Sequence, residues 1–116
     1  MSGERIAVVE DERLVALDIK NHLERFGYVV PKTFTRAEDA LAYIASESPD
    51  LVLMDIHLEG ELDGITAAER IRRDFDIPVI LLTAYADEAT IERARSSRPF
   101  AYLIKPFNSR ELRTSI

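Results

Sequence analysis

Acidic side chains follow two short apolar runs of the sequence, and carboxylates in such positions can bind a cation or act as nucleophiles. Glu10 and Asp11 follow the run that ends at Val9, and Asp55 follows Leu51–Met54. Two carboxylates about 4 Å apart repel each other by roughly 4 kcal/mol at an effective dielectric constant of 20. Three carboxylates in one cleft therefore need a cation, and a divalent ion that prefers oxygen ligands, such as Mg²⁺, meets that need.

Two further polar residues follow apolar runs. Thr83 comes after Val79–Leu82, and Lys105 comes after Ala101–Ile104, where it can supply one positive charge to a carboxylate cluster. The alternative for the first acidic pair is that it merely caps a helix, since acidic residues are common in a first helical turn. That alternative explains Asp55 badly, because an aspartate at the end of an apolar strand has no capping role there.

The elements that must position these residues alternate between short apolar runs and longer segments of helical period, which predicts a parallel α/β sheet. The working residues of such sheets collect at the carboxyl ends of the strands, near the point where the strand order reverses. If the first and third strands are neighbours, the three carboxylates meet in one cleft. The expected strands are Ile6–Val9, Tyr28–Val30, Leu51–Met54, Val79–Leu82 and Ala101–Ile104.

Three amphipathic segments between these strands predict helices with one buried face. Thr35 and Glu38 are spaced as a capping box that opens the second helix, and Gly27 is the expected end of the first. A fourth helical segment, residues 87–97, has a poor apolar face, and a fifth begins at Ser109. The expected core faces are Val15, Ile19, Leu23 and Phe26; Ala37, Leu41 and Ile44; and Ile65, Ala68, Ile71 and Phe75.

Length and charge narrow the class of protein. A chain of 116 residues predicts one domain, spanning residues 1–116. The net charge of −6 argues against nucleic-acid binding by this domain, and no apolar run approaches the length of a membrane helix. The absence of cysteine and of an apolar signal core favours a cytoplasmic location.

Four motifs, in order along the chain, resemble the receiver domains of response regulators in two-component signalling. The resemblance covers residues 6–111 and implies a flavodoxin-like (βα)5 fold, a doubly wound five-stranded parallel sheet with strand order 2-1-3-4-5. The last helix is truncated at Ile116, so we expect the domain to be cut from a longer chain. The motifs are Val8-Val9-Glu10-Asp11, Leu51-Val52-Leu53-Met54-Asp55 with Asp63-Gly64, Leu82-Thr83-Ala84, and Tyr102-Leu103-Ile104-Lys105-Pro106-Phe107.

The resemblance also implies a role for each site residue. Asp55 would accept a phosphoryl group from a phosphohistidine. Mg²⁺ would be bound by Asp11, Asp55 and the backbone carbonyl of His57, with Glu10 holding a metal-bound water. The carboxylate nucleophile and the metal both suit phosphoryl transfer, which needs charge neutralisation more than covalent chemistry.

Signal output would depend on a second set of residues in the same resemblance. Lys105 and Thr83 would contact the phosphoryl oxygens, and Thr83 and Tyr102 would form a switch pair. The implied partners are a sensor histidine kinase or phosphotransfer protein, and an output domain or second copy that docks on the fourth helix, fifth strand and fifth helix. The domain would be a phosphoacceptor switch and not a turnover enzyme.

The sequence departs from the family pattern at two places. Glu10 stands where aspartate is more usual, and the loop after Asp55 is one residue longer, with Glu59-Gly60 where a proline is frequent. The Lys105-Pro106 bond is expected to be cis only on the strength of the resemblance.

Three other functions fit the sequence less well than a phosphoacceptor switch. A flavodoxin-like electron carrier would need a glycine- and hydroxyl-rich phosphate loop where this chain has Glu10-Asp11-Glu12. A receiver that is never phosphorylated would lack one of the acidic or lysine positions, and none is missing. An aspartyl-nucleophile phosphatase would need an acid two residues after Asp55, where His57 stands.

Overall fold

The computed structural model describes residues 3–58, 62–83, 92–93, 95, 101–104 and 109–116, and for residues 102, 104 and 109 it describes the backbone alone. Up to residue 83, strands and helices alternate as the sequence predicts, and a fifth strand and a C-terminal helix are described beyond it. They are β1 (Ile6–Val9), α1 (Arg13–Arg25), β2 (Thr33–Phe34), α2 (Ala37–Glu47), β3 (Leu51–Asp55), α3 (Gly64–Phe75), β4 (Val79–Thr83), β5 (Ala101–Ile104) and the C-terminal helix (Ser109–Ser115).

The five strands form one parallel sheet in the order β2-β1-β3-β4-β5. The register sets Val9 beside Met54 and Asp55 beside Leu82. The chain leaves β1 toward one edge and returns to β3 on the other side, so the strand order reverses between β1 and β3. This arrangement confirms the doubly wound flavodoxin-like fold and puts the switch point where the acidic residues were expected.

Successive side chains of each strand enter two different apolar layers, because strand side chains alternate between the faces of the sheet. Ala7 and Val9 pack with α2 and α3, whereas Ile6 and Val8 pack with α1 and Leu112 of the C-terminal helix. Strands covered on both faces are continuously apolar, which explains why all four residues of β1 are buried.

The second strand lies further along the chain than the sequence predicts. At the expected position, Val29 makes only an isolated bridge with Arg5, and the paired strand is Thr33–Phe34, opposite Val8 and Val9. The reason is Pro31, which has no N–H to donate and interrupts the ladder between the two pairings. The prediction of Tyr28–Val30 as the strand is therefore wrong.

Helix ends show one confirmed and two incorrect predictions. Gly27, with φ of 97°, follows the last residues of α1 as expected. The N-cap of α2 is Arg36 and not Thr35, so the predicted capping box is displaced by one residue, and the Arg36 side chain makes no capping bond. Phe75 shares the direction of the buried α3 residues but is the last residue of that helix, and it stays 36% exposed.

The fourth predicted helix, residues 87–97, falls mainly outside the described residues. The three residues of it that are described, Glu92, Arg93 and Arg95, have helical backbone. In the part of the chain that the structure describes, no helix has both the length and the apolar character needed to cross a bilayer.

Candidate functional site

Three carboxylates meet at the carboxyl ends of β1 and β3. Glu10, Asp11 and Asp55 each bring one oxygen within 4.8 Å of the others. Glu10 is 0% and Asp55 4% exposed, while Asp11 is half-buried. The convergence predicted from adjacent first and third strands is therefore confirmed, and we call these residues the acidic cluster.

Backbone N–H groups hold two members of the acidic cluster. The amide of Glu12 donates to the Glu10 carboxylate over 3.1 Å, and the amide of His57 donates to the Asp55 carboxylate over 3.2 Å. Both donors lie two residues after the acid, so the turn that follows each strand fixes its carboxylate. Such bonds to an ionised acceptor are stronger than those between neutral groups.

The negative charges of the acidic cluster act against one another, as the pKa of Asp11 shows. Burial raises the pKa of Asp11, the hydrogen bond and negative charge of Glu10 raise it further, and an interaction with Asp55 partly opposes the shift. A cation would remove this penalty. The donors are hard oxygen atoms, several of them turned toward one point, so the residues present fit Mg²⁺ better than a softer metal.

Thr83 lies at the end of β4, next to the acidic cluster in the sheet. Asp55 is the register partner of Leu82, and the Ile56 amide donates to the Leu82 carbonyl over 2.9 Å. Thr83 is the next residue along this strand and is 2% exposed. A hydroxyl-bearing residue therefore borders the acidic cluster from the neighbouring strand.

The N-terminus of α3 packs directly on Asp55. A Cβ added at Gly64 would lie 1.9 Å from the Asp55 carbonyl oxygen, and the Gly64 amide donates to the Ile56 carbonyl over 2.9 Å. In the sequence, Asp63-Gly64 is recognisable only as part of a motif, without a role for either residue. Close backbone approach requires a residue without a side chain, which gives this glycine its function.

Asp63 caps the same helix. Its carboxylate accepts from the Thr66 amide over 2.8 Å and pairs with the Arg93 guanidinium at 3.0 Å. Partial burial acts to raise the pKa of Asp63, but the bonds from Thr66 and Arg93 outweigh it and leave the pKa below its ordinary value. Aspartate is a preferred N-cap residue, so its place just before an amphipathic segment is the sequence signal for this cap.

The remaining predicted site residues are described in part. His57 is exposed and contributes its amide to Asp55, whereas the role of its carbonyl stays a prediction. The backbone of Tyr102 is paired with Leu81 in the sheet. The Tyr102 side chain, Lys105 and the Lys105-Pro106 bond lie outside the described residues.

Comparison with known proteins agrees with this geometry. The family model described as "Response regulator receiver domain" matches residues 6–116. The transcriptional regulatory protein PdtaR of Mycobacterium tuberculosis is 34% identical over 108 residues, which are 93% of this chain and 52% of PdtaR. The chain thus spans about half the length of that relative.

Solved receiver domains have the same fold. The signal receiver domain of a modulated diguanylate cyclase from Desulfovibrio desulfuricans G20 is 36% identical, with a TM-score of 0.91 over 98% of this chain and 90% of that one. A CheY-like receiver domain protein from Methanospirillum hungatei JF-1 is 30% identical, with a TM-score of 0.88 over 97% and 90%. The chain therefore belongs to the response regulator receiver domains of two-component signalling.

Proposed function

We propose that Asp55 accepts a phosphoryl group from a phosphohistidine on a sensor histidine kinase or phosphotransfer protein. The observation that carries the proposal is the position of Asp55, buried at the end of β3 with oxygens of Glu10 and Asp11 within 4.8 Å. A buried carboxylate can act as the nucleophile in phosphoryl transfer, and the neighbouring carboxylates can bind the cation that the transfer needs. The cysteine-free sequence agrees with a cytoplasmic setting for the exchange.

The proposed step moves one phosphoryl group. A carboxylate oxygen of Asp55 forms a bond to phosphorus while the P–N bond of the phosphohistidine breaks. The electron pair of that bond stays on the ring nitrogen. Because the other ring nitrogen carries a proton, the donor histidine is released as a neutral imidazole. Asp55 is held for this attack by the His57 amide on one carboxylate oxygen.

Charge neutralisation is the second requirement. Asp11, Asp55 and the His57 backbone carbonyl would hold Mg²⁺, with Glu10 acting through a water molecule. When bound, the metal supplies positive charge to the phosphoryl oxygens. Thr83 would donate its hydroxyl to one of these oxygens, and Lys105 would contact another. The burial of Thr83 beside Asp55 in the sheet supports its part of this assignment.

The conformational response would use Thr83 and Tyr102. Their strands are neighbours, with Thr83 opposite Ile104 and Tyr102 opposite Leu81. A hydroxyl drawn toward the phosphoryl group would leave space beside β5 and favour an inward rotamer of Tyr102, shifting an equilibrium that already exists. The altered surface, made of the fourth helical segment, β5 and the C-terminal helix, would bind an output domain or a second copy. The domain would act as a phosphoacceptor switch and not as a turnover enzyme.

The test of the switch compares NMR shifts with and without beryllofluoride, a phosphoryl mimic. In the wild type, we expect amides of β5 and of the fourth helical segment to shift on binding. In Thr83→Ala, the mimic should still bind at Asp55 while these distant shifts become much smaller. An equally large distant response in the bound variant would show that Thr83 is not the relay.

A further inference from the structure

A groove of about 820 Å³ lies between α1 and α2, at the edge of the sheet that β2 forms. We call it the α1–α2 groove. Arg13, Leu17 and Lys20 line it from α1, and Lys32 through Thr35 line it along the edge strand. None of these side chains belongs to the acidic cluster, so the groove is a separate surface of the domain.

The α1 wall of the groove carries a cation, an apolar side chain and a second cation. Arg13, Leu17 and Lys20 are spaced by four and three residues, so they share one face of the helix. Arg13 and Lys20 are about 10 Å apart along the axis, at 1.5 Å per residue. Leu17 between them is 50% exposed, so the groove offers an apolar side chain between its two cations on α1.

Two aromatic side chains, Phe34 and Tyr43, line the side of the groove opposite α1. The rings of Phe34 and Tyr43 are in contact, with centroids 5.1 Å apart. Lys32 holds its ammonium 5.4 Å from the Phe34 centroid, which fixes a third cation at the edge strand. This side of the groove therefore combines an aromatic surface with a third cation.

The charge of the groove is opposite to that of the chain. Three cations line it against the single carboxylate of Asp39, whereas the chain has a net charge of −6. Among the described residues, neither Arg13 nor Lys20 is in an ion pair, and the only charged-group contact of Lys32 is with the Phe34 ring. These charges are available to an anionic partner.

We infer that the α1–α2 groove binds an extended acidic segment of a partner protein, in which one apolar residue stands between two acidic ones. Alternate residues of an extended chain lie on one side at about 6.6 Å spacing, so an acidic–x–apolar–x–acidic sequence can face Arg13, Leu17 and Lys20 in turn. In the described part of the chain, β2 is an edge strand with no strand on its outer side, so its backbone can pair with that segment.

Two other anionic ligands fit the groove less well. A single phosphate would leave Leu17, half exposed between the two cations of α1, without an apolar partner. A nucleic acid would bring many charges against a domain whose overall charge is −6, which repels a long polyanion. A short acidic peptide gains the local attraction and carries little charge beyond the groove.

The test is fluorescence anisotropy with a labelled ten-residue peptide that has one leucine and a glutamate two positions to each side. We expect saturable binding that weakens as salt rises. Lys20→Glu with Lys32→Glu should weaken binding at least tenfold, and Leu17→Ser should weaken it severalfold. The matched control, Arg70→Glu with Arg72→Glu on the exposed part of α3, makes the same change in net charge and should leave binding nearly unchanged. Thermal melts of each variant confirm folding.

Each other outcome contradicts the inference. No binding at low salt, or equal losses in the two double variants, would mean that the groove is not a specific site. Equally tight binding of a peptide with serine in place of leucine would remove the role of Leu17. Displacement of the peptide by millimolar pyrophosphate, or tighter binding of a short single-stranded oligonucleotide, would make the ligand a small anion or a nucleic acid. Phosphorylation by acetyl phosphate should proceed normally in the Lys20 and Lys32 variant, which separates this inference from the proposed function.

Discussion

The ionised carboxylate of Asp11 lowers the free energy of unfolding. Burial raises its pKa, and the adjacent Glu10 adds to the shift through a hydrogen bond and through its charge. A folded-state pKa above the unfolded value means that the folded protein binds this proton more tightly. Stability is therefore lost as the pH rises through the shifted pKa, and at neutral pH the ionised Asp11 opposes folding until a cation is bound.

Mg²⁺ should consequently stabilise the protein through the acidic cluster. At a concentration ten times the dissociation constant, binding to the folded state adds about 1.4 kcal/mol, which corresponds to a few degrees in Tm. Asp11→Asn should lose most of this increment while the metal-free protein becomes slightly more stable. Thermal melts with and without Mg²⁺ measure both effects. An unchanged increment in the variant would mean that the metal binds elsewhere.

Gly64 should be intolerant of any side chain. Because a Cβ would lie 1.9 Å from the Asp55 carbonyl oxygen, Gly64→Ala must move either α3 or the end of β3. We expect a loss of about 1–3 kcal/mol, typical of an overpacked site, together with slower phosphorylation by acetyl phosphate. Ile44→Val, a core change of about 1 kcal/mol in α2, is the control and should leave the phosphorylation rate unaltered. Equal rates in Gly64→Ala and wild type would refute a positioning role.

The start of helix α3 depends on Asp63 in two separable ways. The carboxylate caps the helix at Thr66 and pairs with Arg93. Asp63→Ala removes both interactions and should cost about 1 kcal/mol, whereas Asp63→Asn keeps a competent cap and should cost less. Denaturant unfolding of the two variants distinguishes these contributions, and equal losses would mean that the cap contributes nothing.

The pairing of Asp63 with Arg93 also predicts a pH dependence. Because the folded-state pKa of Asp63 is lowered, its stabilising charge is fully present above the unfolded pKa of about 4 and is lost as the pH falls through the folded value. The stability difference between wild type and Asp63→Asn should therefore be constant above about pH 5 and shrink in more acidic buffer. A difference that grows on acidification would contradict this assignment.

The boundaries of elements were harder to predict than their order. Apolar runs identified β1, β3, β4 and β5, because a strand covered on both faces consists almost entirely of apolar residues. The edge strand β2 was misplaced because pairing with Val8 and Val9 resumes only after Pro31, and two paired residues leave a weak pattern. The start of α2 was shifted by one residue because Thr35 and Glu38 have capping spacing, which the fold does not use.

In the molecule as a whole, the site follows from the topology. Because β1 and β3 are adjacent, they bring Glu10 and Asp11 next to Asp55, which lies 44 positions after Asp11 in the sequence. Strand alternation and the strand-end rule were sufficient to predict this convergence. The packing of Gly64 on Asp55 was not predictable in the same way, because it depends on the path of a loop and not on periodicity.

The C-terminal helix completes the second apolar layer. Leu112 is 0% exposed and packs in the apolar layer that also contains the buried residues of α1. The Arg113 guanidinium lies over the Phe26 ring, with Cζ 5.4 Å from the ring centroid. Leu112→Ala should therefore lower the free energy of unfolding by about 2–5 kcal/mol. Leu14→Ala is the matched control, because Leu14 is 82% exposed and its loss should change stability by about 0.5 kcal/mol or less. Denaturant unfolding that finds equal effects would show that this helix is not docked.

The central claim, that Asp55 is the phosphoacceptor, is tested most directly by intact-mass measurement after incubation with acetyl phosphate and Mg²⁺. The wild type should gain the mass of one phosphoryl group, and the gain should disappear when the metal is chelated. Asp55→Asn should gain nothing while remaining folded by circular dichroism. A phosphoryl adduct that persists in Asp55→Asn would place the nucleophile elsewhere, and a wild type that gains no mass would indicate a receiver that works without phosphorylation.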